Sequence, residues 1–131
     1  MNNILIIEDD DQIRKMLRQM LERAGYEVFD ASNGKDGSRA YRENPADLII
    51  TDIFMPEMDG LETILELRRD FPVLKIIAIS GGARGGSFDF LPIAESFGAA
   101  KILKKPFTRE EILSAVKEVL ESPPKPASPA S

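Results

Sequence analysis

Short apolar runs alternate with longer helical patterns along this sequence. An unbroken apolar run of about four to eight residues is typical of a strand that is buried on both faces. Apolar runs predict strands at residues 3–7, 48–52 and 75–80, and two further strands are predicted at residues 26–31 and 101–104. Polar or glycine residues bound each run, so the predicted strands are separate elements.

Between these runs, apolar residues recur every three or four positions, which is the spacing of one helix face. The pattern predicts helices at residues 12–24, 34–43, 61–69, about 89–97 and after Thr108. Gly25 and Gly98 are typical helix stops, and the second helix ends before Pro45. Thr108 and Glu111 have the spacing of a capping box that opens the last helix.

The same spacing predicts which helix positions face the core. They are Ile13, Met16, Leu17, Met20, Leu21 and Ala24 in the first helix, Leu61, Ile64, Leu65 and the stem of Arg68 in the third, and Ile112, Leu113, Val116, Val119 and Leu120 in the last. Either Asp10 or Asp11 can cap the first helix, where the helix dipole favours negative charge.

Five alternations of strand and helix predict an α/β fold, a doubly wound parallel sheet with helices on both faces and right-handed crossovers. For five strands the flavodoxin-like (βα)5 order 2-1-3-4-5 is expected. In that order the first and third strands are neighbours at the switch point. Side chains that follow these two strands should therefore meet at one edge of the sheet.

The folded domain is predicted to cover residues 1–121. Residues 122–131 contain four prolines and no bulky apolar side chain, so we expect a disordered tail or the start of a linker. A methionine just before the first strand and this tail favour a stand-alone domain. A piece cut from a longer protein would have the same features, and that alternative stays open.

Composition removes several classes of function. The net charge of −5, with no basic stripe, argues against nucleic-acid binding. The chain has no cysteine and no histidine, which excludes disulfides, thiolate or imidazole metal sites and Ser-His or Cys-His catalysis. No signal peptide or membrane-length apolar run is visible, so a cytoplasmic location without membrane contact is expected.

Carboxylates follow the two strands that should be neighbours. Glu8 and Asp9 come after the first strand, and Asp52 ends the third. Ser80 ends the fourth strand, and a lysine follows the fifth. Crowded carboxylates resist ionising together unless a hard cation such as Mg²⁺ joins them. With a lysine and a hydroxyl opposite, such a site suits a phosphoryl group held on a carboxylate oxygen.

Four motifs in order resemble the receiver domain of two-component response regulators. They are the acidic run Glu8-Asp9-Asp10, the loop from Asp52 through Met55-Pro56 to Asp59-Gly60, Ser80, and Lys105-Pro106-Phe107. The resemblance covers about residues 3–121. It implies a phosphorylation-dependent signalling switch and not an enzyme, although such domains can catalyse their own phosphorylation and dephosphorylation.

The resemblance also implies a role for each matching residue. Asp52 would be the phosphoacceptor, Asp9 a ligand of Mg²⁺ (or Mn²⁺), and Glu8 a direct or water-mediated support. The main-chain carbonyl of Phe54 would be a further metal ligand. Ser80 and Lys105 would contact the phosphoryl group, and the Lys105–Pro106 peptide bond would be cis. Lys104 should point to the other side of its strand.

The implied partners are a sensor histidine kinase or a histidine phosphotransfer protein as phosphoryl donor, and a downstream protein target. The target is expected on the surface of the predicted helix near Asp89, the fifth strand and the last helix. Ile102 stands where many receivers carry an aromatic switch residue, so the glycine-rich segment 81–86 is the expected route of the signal.

Three other functions compete with this interpretation. A receiver-shaped binding module that acts without phosphorylation is the main alternative. A haloacid-dehalogenase-like phosphatase would need a second acid where this chain has Phe54. A flavodoxin would need a phosphate-binding loop after the first strand, where Asp9, Asp10 and Asp11 would repel the phosphate of the flavin.

Overall fold

The computed structural model describes residues 2–52, 59–80 and 98–122. Within them the strands are β1 (Asn3–Ile7), β2 (Glu27–Ala31), β3 (Leu48–Asp52), β4 (Ile76–Ser80) and β5 (Lys101–Lys104). The helices are α1 (Asp11–Arg23), α2 (Gly34–Glu43), α3 (Asp59–Asp70) and α4 (Arg109–Glu121). The predicted helix near Asp89, the carbonyl of Phe54, segment 81–86 and the tail from residue 123 lie outside the described residues.

The five strands form one parallel sheet in the order β2-β1-β3-β4-β5, which confirms the predicted fold class. In the register, Ile7 lies opposite Thr51 and Asp52 lies opposite Ile79. Ser80 pairs with Lys104 at the same edge. The carboxyl ends of β1, β3, β4 and β5 therefore lie at one edge of the sheet.

Apolar side chains cover both faces of the sheet, as the continuous apolar strands require. One buried cluster joins Leu5, Ile7 and Ile49 to side chains of α2 and α3, such as Tyr41 and Leu67. The other cluster joins the alternate strand positions to α1 and α4, and includes Ile4, Ile6, Ile50, Leu17, Leu21, Ile112 and Val116. The two layers hold the sheet edge in a fixed position.

The predicted helix ends are largely confirmed. Asp10, not Asp11, caps α1, because its Oδ1 accepts the N–H groups of Gln12 and Ile13 at 2.9 and 3.1 Å. Gly25 follows that helix with φ 98°, a value that glycine adopts without strain. In the capping box, Thr108 Oγ1 accepts the N–H of Glu111, whose carboxylate accepts the N–H of Thr108.

Three predicted core positions are wrong. Met16 is 39% exposed and Leu65 is 51% exposed, and Ala24 is an exposed cap that ends α1. The inner face of α1 is narrower than the apolar pattern suggested, because the sheet covers only the side that carries Leu17 and Leu21. In α3, the buried face passes through Ile64 and Leu67, and Leu65 is rotated away from it.

The helix α2 lies unusually close to β1 at Gly37. A Cβ atom at Gly37 would lie 2.5 Å from Cδ1 and 2.7 Å from Cγ1 of Ile7, a side chain that is fully buried. Overpacking at such a contact costs about 1–3 kcal/mol, against a gain of about 1 kcal/mol in helix propensity. Gly37→Ala is therefore expected to lower the free energy of unfolding by up to about 2 kcal/mol.

Urea unfolding followed by circular dichroism would measure this difference. Arg39→Ala is the matched control, because Arg39 is exposed on the same helix and its replacement should change stability little. A Gly37→Ala variant that is more stable than the natural chain would mean that helix propensity dominates at this contact.

None of the helices in the described ranges is long and apolar enough to cross a membrane.

Candidate functional site

Three carboxylates meet at the carboxyl end of the sheet. Glu8 follows β1, Asp52 ends β3, and the pairing of these strands places the two residues side by side. Asp9 is the next residue of the loop, and one oxygen from each of the three carboxylates lies within 4.8 Å of the others. The predicted convergence of Glu8, Asp9 and Asp52 is therefore observed.

Burial differs sharply among these carboxylates. The side chains of Glu8 and Asp52 are 1% and 4% exposed, whereas Asp9 is exposed. Burial raises the pKa of Glu8 to about 7, and the contact with Lys105 and the N–H of Asp10 limit the rise. A buried carboxyl beside another carboxylate resists ionising because both burial and the neighbouring charge disfavour the anion.

Lys105 supplies the positive charge of the site. Its Nζ donates a hydrogen bond to Asp52 Oδ2 at 2.6 Å and lies 2.9 Å from Glu8 Oε1. Burial lowers the pKa of Lys105, but the two carboxylates outweigh burial and the pKa is raised overall. Lys105 follows β5 and Asp52 ends β3, so the two side chains meet across the end of β4. Lys104 is exposed, and the Lys105–Pro106 peptide bond is cis, as expected.

Two further predicted site residues are placed only in part or not at all. Ser80 is the last residue of β4 and lies in register with Lys104, so its main chain is at the same edge as the carboxylates. The position of its hydroxyl is not among the described features. Phe54 lies outside the described residues. The roles predicted for both residues stay predictions.

The donor set fits a hard divalent cation. Glu8 Oε1 is buried at the carboxylate cluster and lies 2.9 Å from Lys105 Nζ. One ammonium group faces the three carboxylates, and buried carboxylates are stabilised by pairing with cations. Three carboxylates with one of them open to solvent suit Mg²⁺, which prefers oxygen ligands and retains several waters.

Arg14 also lies at this site, and no sequence pattern indicated it. The Nη1 of Arg14 donates to the main-chain carbonyl of Glu8 at 2.8 Å, and the guanidinium also pairs with Asp11. The spacing of Arg14 and Asp11, three residues apart on a helix, indicates a surface ion pair and nothing more. Only the path of the chain around the end of β1 brings the guanidinium to Glu8.

The fold and site together define a parallel α/β domain with a buried aspartate, a lysine and a cluster of three carboxylates at the carboxyl edge of its sheet. The sequence model of the response regulator receiver domain matches residues 4–117. The chain belongs to this family, which comprises signalling domains of two-component systems. Receiver domains bind Mg²⁺ at an acidic pocket and interact with histidine kinases and downstream effectors.

Similar proteins include the response regulator receiver protein CpdR of Brucella abortus, 37% identical over 120 residues, which cover 92% of this chain and 98% of CpdR. The transcriptional regulatory protein SrrA of Staphylococcus aureus is 35% identical, and the match covers 91% of this chain and 48% of SrrA. The sensor kinase CckA of Brucella abortus is 35% identical, and the match covers 90% of this chain but only 12% of CckA.

Solved structures agree with the sequence comparisons. A response regulator receiver domain protein from Clostridium thermocellum superposes with a TM-score of 0.82 at 30% identity, over 92% of this chain and 94% of that one. The response regulator TrrA from Thermotoga maritima, solved in complex with Mg²⁺-BeF, gives a TM-score of 0.78 at 30% identity, over 91% of this chain and 99% of TrrA.

Proposed function

We propose that the chain is a phosphorylation-dependent switch in which Asp52 accepts a phosphoryl group from a phosphohistidine. The donor would be a sensor histidine kinase or a histidine phosphotransfer protein, in the cytoplasm. The observation that carries the proposal is the buried Asp52 carboxylate, hydrogen-bonded to Lys105 and clustered with Glu8 and Asp9. On this proposal the chain is a phosphoacceptor and has no separate substrate to turn over.

In the transfer, an oxygen of Asp52 attacks the phosphorus of the donor. The new P–O bond forms as the P–N bond breaks, and the electron pair of the broken bond stays on the imidazole nitrogen. The imidazole leaves as a neutral group when its other nitrogen carries a proton. The product is an acyl phosphate on Asp52, formed through a loose, in-line transition state.

The residues around Asp52 would stabilise the charge on the phosphoryl oxygens. Lys105 Nζ lies 2.6 Å from Asp52 Oδ2 and would pair with a phosphoryl oxygen on that carboxylate. Ser80 would donate its hydroxyl from the end of β4. Glu8, Asp9, Asp52 and the carbonyl of Phe54 would hold Mg²⁺ or Mn²⁺, which when bound neutralises charge on the transferring group.

The output would reach a protein target through the surface of β5, α4 and the segment that precedes β5. Ile102 packs against the buried cluster beneath α2 and α3 and carries no ring that could rotate to report phosphorylation. The signal is therefore expected to leave through residues 81–97, which lie outside the described part of the chain. A phosphorylation-independent binding module remains the competing function, and the experiment below distinguishes the two.

Incubation with acetyl phosphate, followed by intact-protein mass spectrometry, tests the proposal. We expect the mass of one phosphoryl group to be gained with Mg²⁺ and not with EDTA, because the crowded carboxylates need the cation to accept further negative charge. Hydroxylamine should remove the label, as it cleaves an acyl phosphate but leaves a serine or threonine phosphate intact.

A folded protein that binds Mg²⁺ but gains no mass, from acetyl phosphate or from a phosphorylated histidine phosphotransfer protein, would contradict the proposal. That result would favour the binding module. A hydroxylamine-resistant label would instead place the phosphoryl group on a hydroxyl and remove Asp52 from its proposed role.

A further inference from the structure

Arg14 joins three parts of the chain beside the carboxylate cluster. From α1, its Nη1 donates to the carbonyl oxygen of Glu8 at 2.8 Å, its Nη2 pairs with Asp11, and its Nε lies 3.8 Å from Asp30 Oδ1. The side chain is only 15% exposed, although it comes from a surface helix. A planar guanidinium held by several acceptors is a rigid donor, unlike a solvated lysine.

Hydrogen bonds restrain both main-chain polar groups of Glu8, and Arg14 provides one of them. The N–H of Glu8 donates to the carbonyl of Ala31 at 3.1 Å, which extends the pairing of β1 with β2 by one residue. The carbonyl of Glu8 has passed the end of the strand and is held by Arg14. This carbonyl belongs to the peptide unit that joins Glu8 to Asp9, so Arg14 fixes the plane of that unit.

The direction of the Asp9 side chain depends on this main-chain restraint more than the directions of the Glu8 and Asp10 side chains do. The carboxylate of Glu8 is buried and accepts the N–H of Asp10, and the carboxylate of Asp10 is engaged in capping α1. Asp9 is exposed, so packing does not determine the direction of its side chain. The orientation of its main chain therefore decides whether its carboxylate faces Glu8 and Asp52.

We propose that Arg14 is a positioning residue for cation binding, which holds the Glu8–Asp9 peptide so that both carboxylates converge with that of Asp52. The proposal rests on the proposed function, in which this cluster binds Mg²⁺. Arg14 contacts no reacting atom. Its effect passes through one main-chain hydrogen bond to Glu8 and Asp9, which lie between β1 and α1.

Replacing Arg14 removes a positive charge and a hydrogen bond, and these two losses should change cation affinity in opposite directions. A positive charge near the cluster repels a cation, so its removal alone should tighten cation binding. Loss of the hydrogen bond to Glu8 should loosen the Glu8–Asp9 peptide and weaken binding. Removal of groups that orient metal ligands typically weakens metal affinity by about 10–100-fold, and we expect a loss of about tenfold for Arg14→Gln.

Arg18→Gln is the matched control. Arg18 lies one turn further along α1, and its guanidinium pairs with Asp30 at 2.9 Å and with Glu22 at 3.2 Å. The same unit of charge is removed, and the same Asp30 loses a partner, but the hydrogen bond to Glu8 is kept. Cation affinity should stay unchanged or become slightly tighter.

The experiment measures Mn²⁺ binding to the full chain by electron paramagnetic resonance, which counts free Mn²⁺, and Mg²⁺ binding by competition. Weaker binding in Arg14→Gln but not in Arg18→Gln supports the proposal. Equal or tighter binding in Arg14→Gln would overturn it. If Arg14→Gln does not fold, Arg14→Lys takes its place. This variant keeps the positive charge but loses the planar guanidinium, and we expect the same weakening of Mn²⁺ binding.

A spectroscopic measurement without metal provides a second test. In the metal-free protein, the amide ¹⁵N signal of Asp9 reports the hydrogen bond to the Glu8 carbonyl, because both belong to one peptide unit. It should shift in Arg14→Gln and stay in place in Arg18→Gln. An unshifted Asp9 signal would show that Arg14 does not hold this peptide.

These readouts also separate this proposal from the proposed function. Phosphorylation of the natural chain with unchanged Mn²⁺ affinity in Arg14→Gln would reject the role of Arg14 alone. Weakened Mn²⁺ binding in Arg14→Gln, with a natural chain that acetyl phosphate never labels, would reject the phosphoacceptor and leave Arg14 as a positioning residue of a cation site.

Discussion

Asp52→Asn is expected to abolish the mass gain from acetyl phosphate in the presence of Mg²⁺. An amide oxygen is a far weaker nucleophile than a carboxylate, and the substitution also removes one of the three carboxylates of the cluster. Both losses act on phosphoryl transfer, so Asp52→Asn should gain no mass in the time that the natural chain needs to be labelled. Intact-protein mass measured over a time course provides the test.

Asp70→Asn is the matched control for this variant. Asp70 ends α3 at the opposite edge of the sheet, where its carboxylate pairs with Arg42 at 2.6 Å on the surface. Exposed ion pairs contribute little to stability, so the control should fold and be labelled normally. A label that persists in a folded Asp52→Asn protein, with unchanged amount and hydroxylamine sensitivity, would mean that another carboxylate is the acceptor.

Arg68→Met is expected to lower the free energy of unfolding by about 3 kcal/mol, since each buried hydrogen bond to a charged group contributes about 1.5–3 kcal/mol. The guanidinium of Arg68 donates to the carbonyls of Pro72, Leu74 and Gly98 at 3.0, 2.7 and 3.0 Å. The residue is 8% exposed, and burial lowers its pKa. Methionine would fill much of the space but leave these carbonyls without a donor.

Urea unfolding, with the midpoint and the slope fitted separately, would measure this effect. Arg69→Met is the control, because Arg69 is the next residue of α3, its side chain is 73% exposed, and it pairs with the neighbouring Asp70. Its replacement should change stability by less than about 0.5 kcal/mol. Equal destabilisation by the two substitutions would contradict a special role for the buried guanidinium.

Arg68 also shows which contacts helical periodicity can predict and which it cannot. The spacing of α3 predicted that the stem of Arg68 faces inward, and this is confirmed by its burial. The acceptors of its head group are carbonyls, which every residue carries, and one belongs to Gly98, 30 positions away. No sequence pattern marks such a partner. The wrong prediction that Leu65 faces the core has a related origin, because an apolar residue can lie on a helix face that does not pack against the sheet.

The local pattern was sufficient for the fold. Continuous apolar strands require cover on both faces, and alternation with helices permits few ways to supply it, so the strand order was predicted and is observed. The same logic placed Glu8, Asp9 and Asp52 at one edge, because parallel strands bring their carboxyl ends together. The resemblance to receiver domains pointed to Lys105 through the motif Lys105-Pro106-Phe107, and the ammonium group of Lys105 lies between Asp52 and Glu8.

The sequence by itself thus determined the fold class, the sheet order and which charged residues share the carboxyl edge, because strand burial and chain direction are local properties that repeat along the chain. Only the tertiary structure decided the rest. The closeness of α2 to β1 at Gly37 and the contact of Arg14 with the Glu8 carbonyl depend on distances between elements. Side-chain periodicity has no information about those distances, since they arise from how two packed layers fit together.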